Sequence, residues 1–125
     1  MGLNFTGRSF ISLNDMDKDE LLYLMEKSAE VKEGKHKGFL QGKTVATLFF
    51  EPSTRTRLSF ETAVLQQGGS IFGFSSSASS SVQKGESLTD TIKTITGYCD
   101  AIVMRHKIEG AARRASQAAT VPVIN

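Results

Sequence analysis

Cysteine is almost missing: Cys99 stands alone among 125 residues. No internal disulfide can form, and the thiol reads as a small packing residue in a reducing compartment. No apolar run approaches the ~20 residues that a membrane span needs. Met1 to Phe10 lacks the long apolar core of a signal peptide. These absences together lead us to expect a cytoplasmic chain with no membrane partner. Charge of one sign is scarce too. The net charge is +2, too small by itself to imply a nucleic-acid partner. The two histidines, His36 and His106, make no motif, and no Asp/Glu/His cluster has metal-ligand spacing. Gly-x-Gly-x-x-Gly is absent, so a dinucleotide cofactor is unsupported. Gly-x-Ser-x-Gly is absent as well, which argues against a Ser-His hydrolase. No cofactor is expected.

What is present is an ordinary globular balance, 39% hydrophobic and 22% charged residues, in a length that suits one domain with a core. The chain is organised around Phe49-Phe50-Glu51-Pro52-Ser53-Thr54-Arg55-Thr56-Arg57. The apolar run Val45–Phe50 before it reads as a strand buried on both faces. Pro52 ends that strand, having no N–H for a ladder. A helical pattern follows, with Phe60, Ala63 and Val64 on one face. Hydroxyls, two guanidiniums and free amides therefore meet at a helix start, where the dipole adds positive charge. Such a place receives a phosphate-sized dianion. The plainer reading is an N-cap by Ser53 or Thr54 with solvated arginines. Two arginines among three hydroxyls make it the weaker one.

Around this centre the pattern alternates. Residues 15–33 read as an amphipathic helix capped by Asn14, with Leu21, Leu24, Met25 and Ser28 in its stripe and Gly34 ending it. A brief helix is expected near Arg8–Leu13, and Lys35-His36-Lys37-Gly38 as a solvated basic turn. Gly42-Lys43-Thr44 imitates the tail of a P-loop, but it precedes a strand instead of following one and is rejected. Strands are expected at 44–50, 70–74, 100–105 and 121–124, and helices at about 54–67, 87–98 and 108–119. The stripe of the last two helices would be Leu88, Ile92, Ile95 and Cys99, then Ile108, Ala111, Ala112 and Ala115. The serine-rich stretch Ser75–Ser81 cannot build a core and is expected to be an exposed loop leading to Lys84. Such strand–helix alternation requires crossover helices. The expected fold class is α/β: a parallel sheet with helices on both faces, doubly wound in three layers. Arg105 and His106 fall at the tip of the third strand, where ligands of open sheets bind. For His106 a satisfied surface or core histidine is the preferred reading.

The heptapeptide Glu51-Pro52-Ser53-Thr54-Arg55-Thr56-Arg57 resembles the carbamoyl-phosphate signature of the transcarbamoylases. With Phe50 in front it is more similar to the aspartate than to the ornithine version. The resemblance implies carbamoyl transfer from carbamoyl phosphate to L-aspartate, within pyrimidine biosynthesis. It implies that Ser53, Thr54, Arg55 and Thr56 hold the phosphate. Arg105 and Thr56 would polarise the carbonyl oxygen, while Ser81 and Lys84 reach into a neighbouring subunit's site in a homotrimer. Arg57 and Glu51 would be mainly structural or interdomain. Some members of the family also dock a regulatory chain near Glu109–Arg113, although a Glu–Arg pair at that spacing is usually a surface helix pair. The family continues past the fourth strand with a His-Pro-x-x-Gln segment and a second domain that binds aspartate. Residues 1–125 are thus expected to form a truncated carbamoyl-phosphate domain, inactive alone. The alternatives are part of an ornithine carbamoyltransferase and a non-catalytic phosphate-binding or assembly module.

Overall fold

The computed structural model describes residues 3–75 and 88–125. Four strands run in parallel in one sheet: β1 Thr44–Phe49, β2 Ser70–Ser75, β3 Ala101–Arg105 and β4 Val123–Ile124, in the order β2-β1-β3-β4. Helices α1 Lys18–Lys32, α2 Thr54–Gln66, α3 Leu88–Ile95 and α4 Ala111–Ala118 precede and connect them. The expected parallel α/β sheet with helices on both faces is what forms.

Strand alternation explains the layers. Ala46, Leu48 and Phe50 of the first strand segment, with Ile102, Met104 and Val123, face α3 and α4 and pack on Leu88, Ile92, Ala111, Ala112 and Ala115. Val45, Phe49 and Val103 face the other way, onto Val64 and Phe60 of α2. Successive side chains of a strand point to opposite faces, so an unbroken apolar run such as 45–50 serves both layers at once. The small alanines of α4 let it approach the sheet closely, and Ala115 is fully buried.

Several boundaries differ from expectation for local reasons. Helix α1 starts later, because Asp17 and not Asn14 is its cap: Asp17 and Glu20 form a reciprocal capping box that satisfies two orphan amides. No residue of α1 is buried, and Met25 is 68% exposed, so the expected stripe is only half covered. The segment near Arg8–Leu13 is not a helix. Phe10 pairs in parallel with Ile124, its N–H donating to the Val123 carbonyl at 2.9 Å. A single 3-10 turn follows at Leu13–Asp15. The basic turn is not wholly solvated either, since His36 is half-buried, bonds Glu30 at 2.7 Å and packs on Phe39. Ala63 is exposed on α2. Helix α3 ends at Ile95, with Cys99 beyond it against the core. Helix α4 begins only after Gly110, whose φ of +84° is left-handed, and Ile108 before it is 57% exposed. Among the described residues no helix is long and apolar enough to cross a membrane.

Candidate anion site at the sheet switch point

The strand order fixes where a cleft can open. From β1 the chain leaves over one face through α2 to β2. From β2 it returns over the opposite face through α3 to β3, on the other side of β1. The connections leaving the ends of β1 and β3 therefore diverge, and the crevice between them is the switch point at which such sheets bind ligands.

Both walls of that crevice carry donors. On one side is the Glu51–Thr56 turn after β1. On the other is Arg105, level with Phe49 in the parallel register, whose carbonyl accepts from the Phe50 N–H at 2.9 Å. Strand parity places Arg105 on the α2 face. Its guanidinium spans the crevice, donating from Nε to Glu51 Oε1 at 2.9 Å and from one terminal nitrogen to Ser53 Oγ at 2.8 Å and Thr56 Oγ1 at 3.4 Å. His106, one residue on, turns to the opposite face. Its ring lies 4.8 Å from that of Phe50, and its Nδ1 accepts the Ile108 N–H at 3.0 Å. Burial pushes its pKa down, against the field of Glu51, so a neutral, structural imidazole fits that position.

Ser53 occupies the N-cap position of α2, yet its side chain makes no capping hydrogen bond. Its hydroxyl is engaged by Arg105 instead. The plain capping reading thus fails, and the first-turn amides of α2 keep the unfilled valence that helix starts always have. Thr54 and Arg55 are exposed beside them, and the Arg55 side chain has no hydrogen bond or ion pair to any described residue. Arg57 differs: its Nε donates to Glu61 Oε2 at 2.9 Å. Two clefts flank the turn. One, of about 300 Å³, is lined by Ser53, Thr54, Arg57, Glu61 and Ser75. The other, of about 270 Å³, is lined by Thr56, Phe60, Arg105 and Asn125.

Of the residues expected at the site, Ser53, Thr54, Arg55, Thr56 and Arg105 are brought together. Ser81 and Lys84 lie outside the described residues. Glu51, expected to be mainly structural or interdomain, holds Arg105. Glu109 and Arg113 form no pair; Arg113 reaches Asp15 at 2.8 Å, ninety-eight positions away, and Glu109 precedes α4. Sequence reasoning missed Thr47 and Glu61. The signals were a hydroxyl inside an apolar strand and an Arg57–Glu61 spacing of four. No group of three metal-ligating side chains occurs among the described residues.

Chemically, this is a doubly wound α/β domain with hydroxyls, helix amides and guanidiniums gathered at its switch point. Comparison with known proteins narrows that class. A family model for the carbamoyl-P binding domain of aspartate/ornithine carbamoyltransferase matches residues 8–125, and the chain belongs to that family. It is 51% identical over 127 aligned positions to an aspartate carbamoyltransferase catalytic subunit of Thermococcus onnurineus, covering 98% of this chain and 41% of that protein. The catalytic subunit of M. jannaschii aspartate transcarbamoylase superimposes with a TM-score of 0.86 at 49% identity, over 94% of this chain and 40% of the other. An aspartate transcarbamoylase from Trypanosoma cruzi, solved with carbamoyl aspartate and phosphate, gives 0.82 at 34% identity, over 97% of this chain and 38% of that one. The chain thus spans about two-fifths of the length of these relatives.

Proposed function

We propose that this chain forms the carbamoyl-phosphate side of an aspartate carbamoyltransferase active site, in a cytoplasmic enzyme of pyrimidine biosynthesis. The observation that carries the reading is the Arg105 guanidinium bridging from the β3 tip to Ser53 and Thr56 at the α2 start. In this reading Ser53, Thr54, Arg55 and the first-turn amides of α2 hold the phosphoryl group, since that is where an anion meets both donors and dipole. Arg105 and Thr56 face the carbamoyl oxygen and stabilise the negative charge that develops there when the amine of L-aspartate attacks the carbon. The new C–N bond forms, the bond to the phosphate oxygen breaks, and phosphate leaves with the proton shed by nitrogen. No covalent intermediate is needed, so positioning and charge stabilisation carry the rate.

The aspartate carboxylates would be bound by residues outside the matched two-fifths. Ser81 and Lys84 would complete the site of a neighbouring subunit in a homotrimer, and a regulatory chain remains a candidate partner near Glu109. The chain alone should therefore bind carbamoyl phosphate but transfer nothing. Calorimetric titration with carbamoyl phosphate and with inorganic phosphate tests the first part: preference for the carbamoylated ligand is expected. Equal affinity would favour a non-catalytic phosphate-binding module. A colorimetric assay for carbamoyl aspartate tests the second, and turnover by the isolated chain would refute it.

A further inference from the structure

The centre of β1 carries a polar group where the pattern calls for an apolar one. Thr47 is fully buried, between Ala46 and Leu48 in one of the two inner strands of the sheet. Its hydroxyl donates to Glu61 Oε2 at 2.7 Å, and the same oxygen accepts Arg57 Nε at 2.9 Å. The neighbouring strand makes room for this chain of contacts. Gly73 is level with Thr47, and a Cβ there would overlap the Thr47 carbonyl and come within 2.5 Å of its hydroxyl. A glycine on β2, a threonine on β1 and a glutamate on α2 are thus matched across three elements. They end on an arginine that lines the cleft beside Ser53 and Thr54.

That arrangement poses an electrostatic problem. Glu61 also lines the cleft, with 15% of its side chain exposed. An unneutralised carboxylate there would repel the dianion that the adjacent turn is built to receive. We propose that Thr47, Glu61 and Arg57 form a positioning unit: Thr47 anchors the Glu61 carboxylate to the sheet, Glu61 holds Arg57 along the helix, and Arg57 cancels the Glu61 charge. The phosphate is left to Ser53, Thr54, Arg55 and the α2 amides. This rests on the reading of the Ser53–Thr56 turn as the phosphate site and assigns Arg57 a different task from its neighbour Arg55, two residues away. Burial opposes ionisation of Glu61, but hydrogen bonds from Thr47 and Arg57 outweigh it and keep the carboxyl below the ordinary range. Arg57 is the one charge acting on it among the described residues; β1 contributes only Thr47 at this point, and β2 contributes Gly73 and Ser75, neither of which titrates.

The test is calorimetry on the full chain at low ionic strength. Inorganic phosphate serves as probe near pH 8, and sulfate, which stays a dianion, serves from about pH 8 to about pH 5. Arg57→Ala should weaken phosphate binding about tenfold, from repulsion by the bared carboxylate. Adding Glu61→Gln to Arg57→Ala should restore affinity to within about threefold, because the repelling charge is gone. Sulfate binding by Arg57→Ala should recover as pH falls, since a desolvated carboxyl without its cation titrates upward; the unmutated chain and the double variant should lack that recovery. Glu61→Gln alone keeps the shape and should tighten phosphate binding a few-fold by freeing the Arg57 charge, which covers the case in which Arg57→Ala does not fold. A double variant as weak as Arg57→Ala, or Glu61→Gln no tighter than the unmutated chain, would make Arg57 a direct ligand or a bystander and overturn the proposal. If the unmutated chain takes up no phosphate, the site reading itself falls, and this proposal falls with it.

Discussion

Replacing Arg105 by alanine should nearly abolish carbamoyl-phosphate binding while leaving the fold almost untouched. Among the described residues the side chain makes three hydrogen bonds, to Glu51, Ser53 and Thr56, all on the cleft side. A hydrogen bond to a charged group is worth roughly 1.5–3 kcal/mol. The substitution also leaves the Glu51 carboxylate, 29% exposed, without its cation beside a dianion, a further repulsion of about 1 kcal/mol at the dielectric of a wet cleft. Together these predict a rise in dissociation constant of roughly a hundredfold or more. Stability behaves differently. The Arg105 side chain is 49% exposed, and such pairs contribute about 0–1 kcal/mol. The backbone bond from Phe50 to the Arg105 carbonyl survives the change. The assay is a calorimetric titration of carbamoyl phosphate into both proteins at low salt, with thermal melts alongside. Arg105→Lys keeps the charge, but a single ammonium cannot span Glu51 and Ser53 as the planar fork does, so a loss of roughly tenfold is expected. An Arg105→Ala variant that binds within threefold of the parent would refute the assignment of the crevice as the ligand site.

Three further outcomes follow from the same structure. Exchanging the two residues at the strand tip, Arg105→His with His106→Arg, preserves net charge but sends the guanidinium to the face of Phe50; carbamoyl-phosphate titration should show a loss as large as that of Arg105→Ala, and retained affinity would mean that charge alone suffices. Gly73→Ala should cost about 1–3 kcal/mol in urea unfolding, because its Cβ would overlap the Thr47 carbonyl; an unchanged midpoint would deny the close approach of β2 to β1. Glu20 is held at about 2, from an ordinary 4.5, chiefly by the hydrogen bond from Arg8 and then by the Asp17 amide. A depressed carboxyl stabilises the fold above its unfolded pKa and loses that contribution as pH falls through the folded one, so melting temperature should drop between about pH 4.5 and pH 2. Arg8→Met should flatten that part of the profile, and an identical acid profile in both proteins would contradict the pairing.

The strands and the anion turn were legible because each is written locally. The run Val45–Phe50 announces burial on both faces, and Pro52 followed by three hydroxyls announces a strand end and a helix start. Even the meeting of Arg105 with Ser53 could be anticipated, since parallel topology gathers strand ends at one edge. What escaped turns on choices among competing local conformations and partners, some of them distant in sequence. Whether Asn14 or Asp17 caps α1 turns on the reciprocal bond from Glu20, and the N-terminal segment became an edge pairing because Val123–Asn125 offered it a ladder. Helix α4 begins late because Gly110 takes up a left-handed conformation, which its sequence permits without requiring. Arg113 found Asp15 and not Glu109, since a pairing across the surface competes with the spacing along one helix.

The same contrast explains why two arginines of one motif have different surroundings. Arg55 and Arg57 are separated by two helical positions, about 200° around the axis at 3.6 residues per turn, so they cannot share a face. Arg57 lies one turn before Glu61, which Thr47 fixes from the sheet. Among the described residues Arg55 meets no such acid, and it is exposed at the rim. Arg105 comes from another strand and is aimed by Glu51. A count of charges around the crevice would rank the three guanidiniums as equals. Among the described residues their partners separate them: one without an ion pair, one aimed by Glu51, and one paired with Glu61, and in the proposed arrangement the ligand is left to the first two. The sequence motif specifies the cations, but the threonine buried in the sheet and the glycine beside it decide how many of them act.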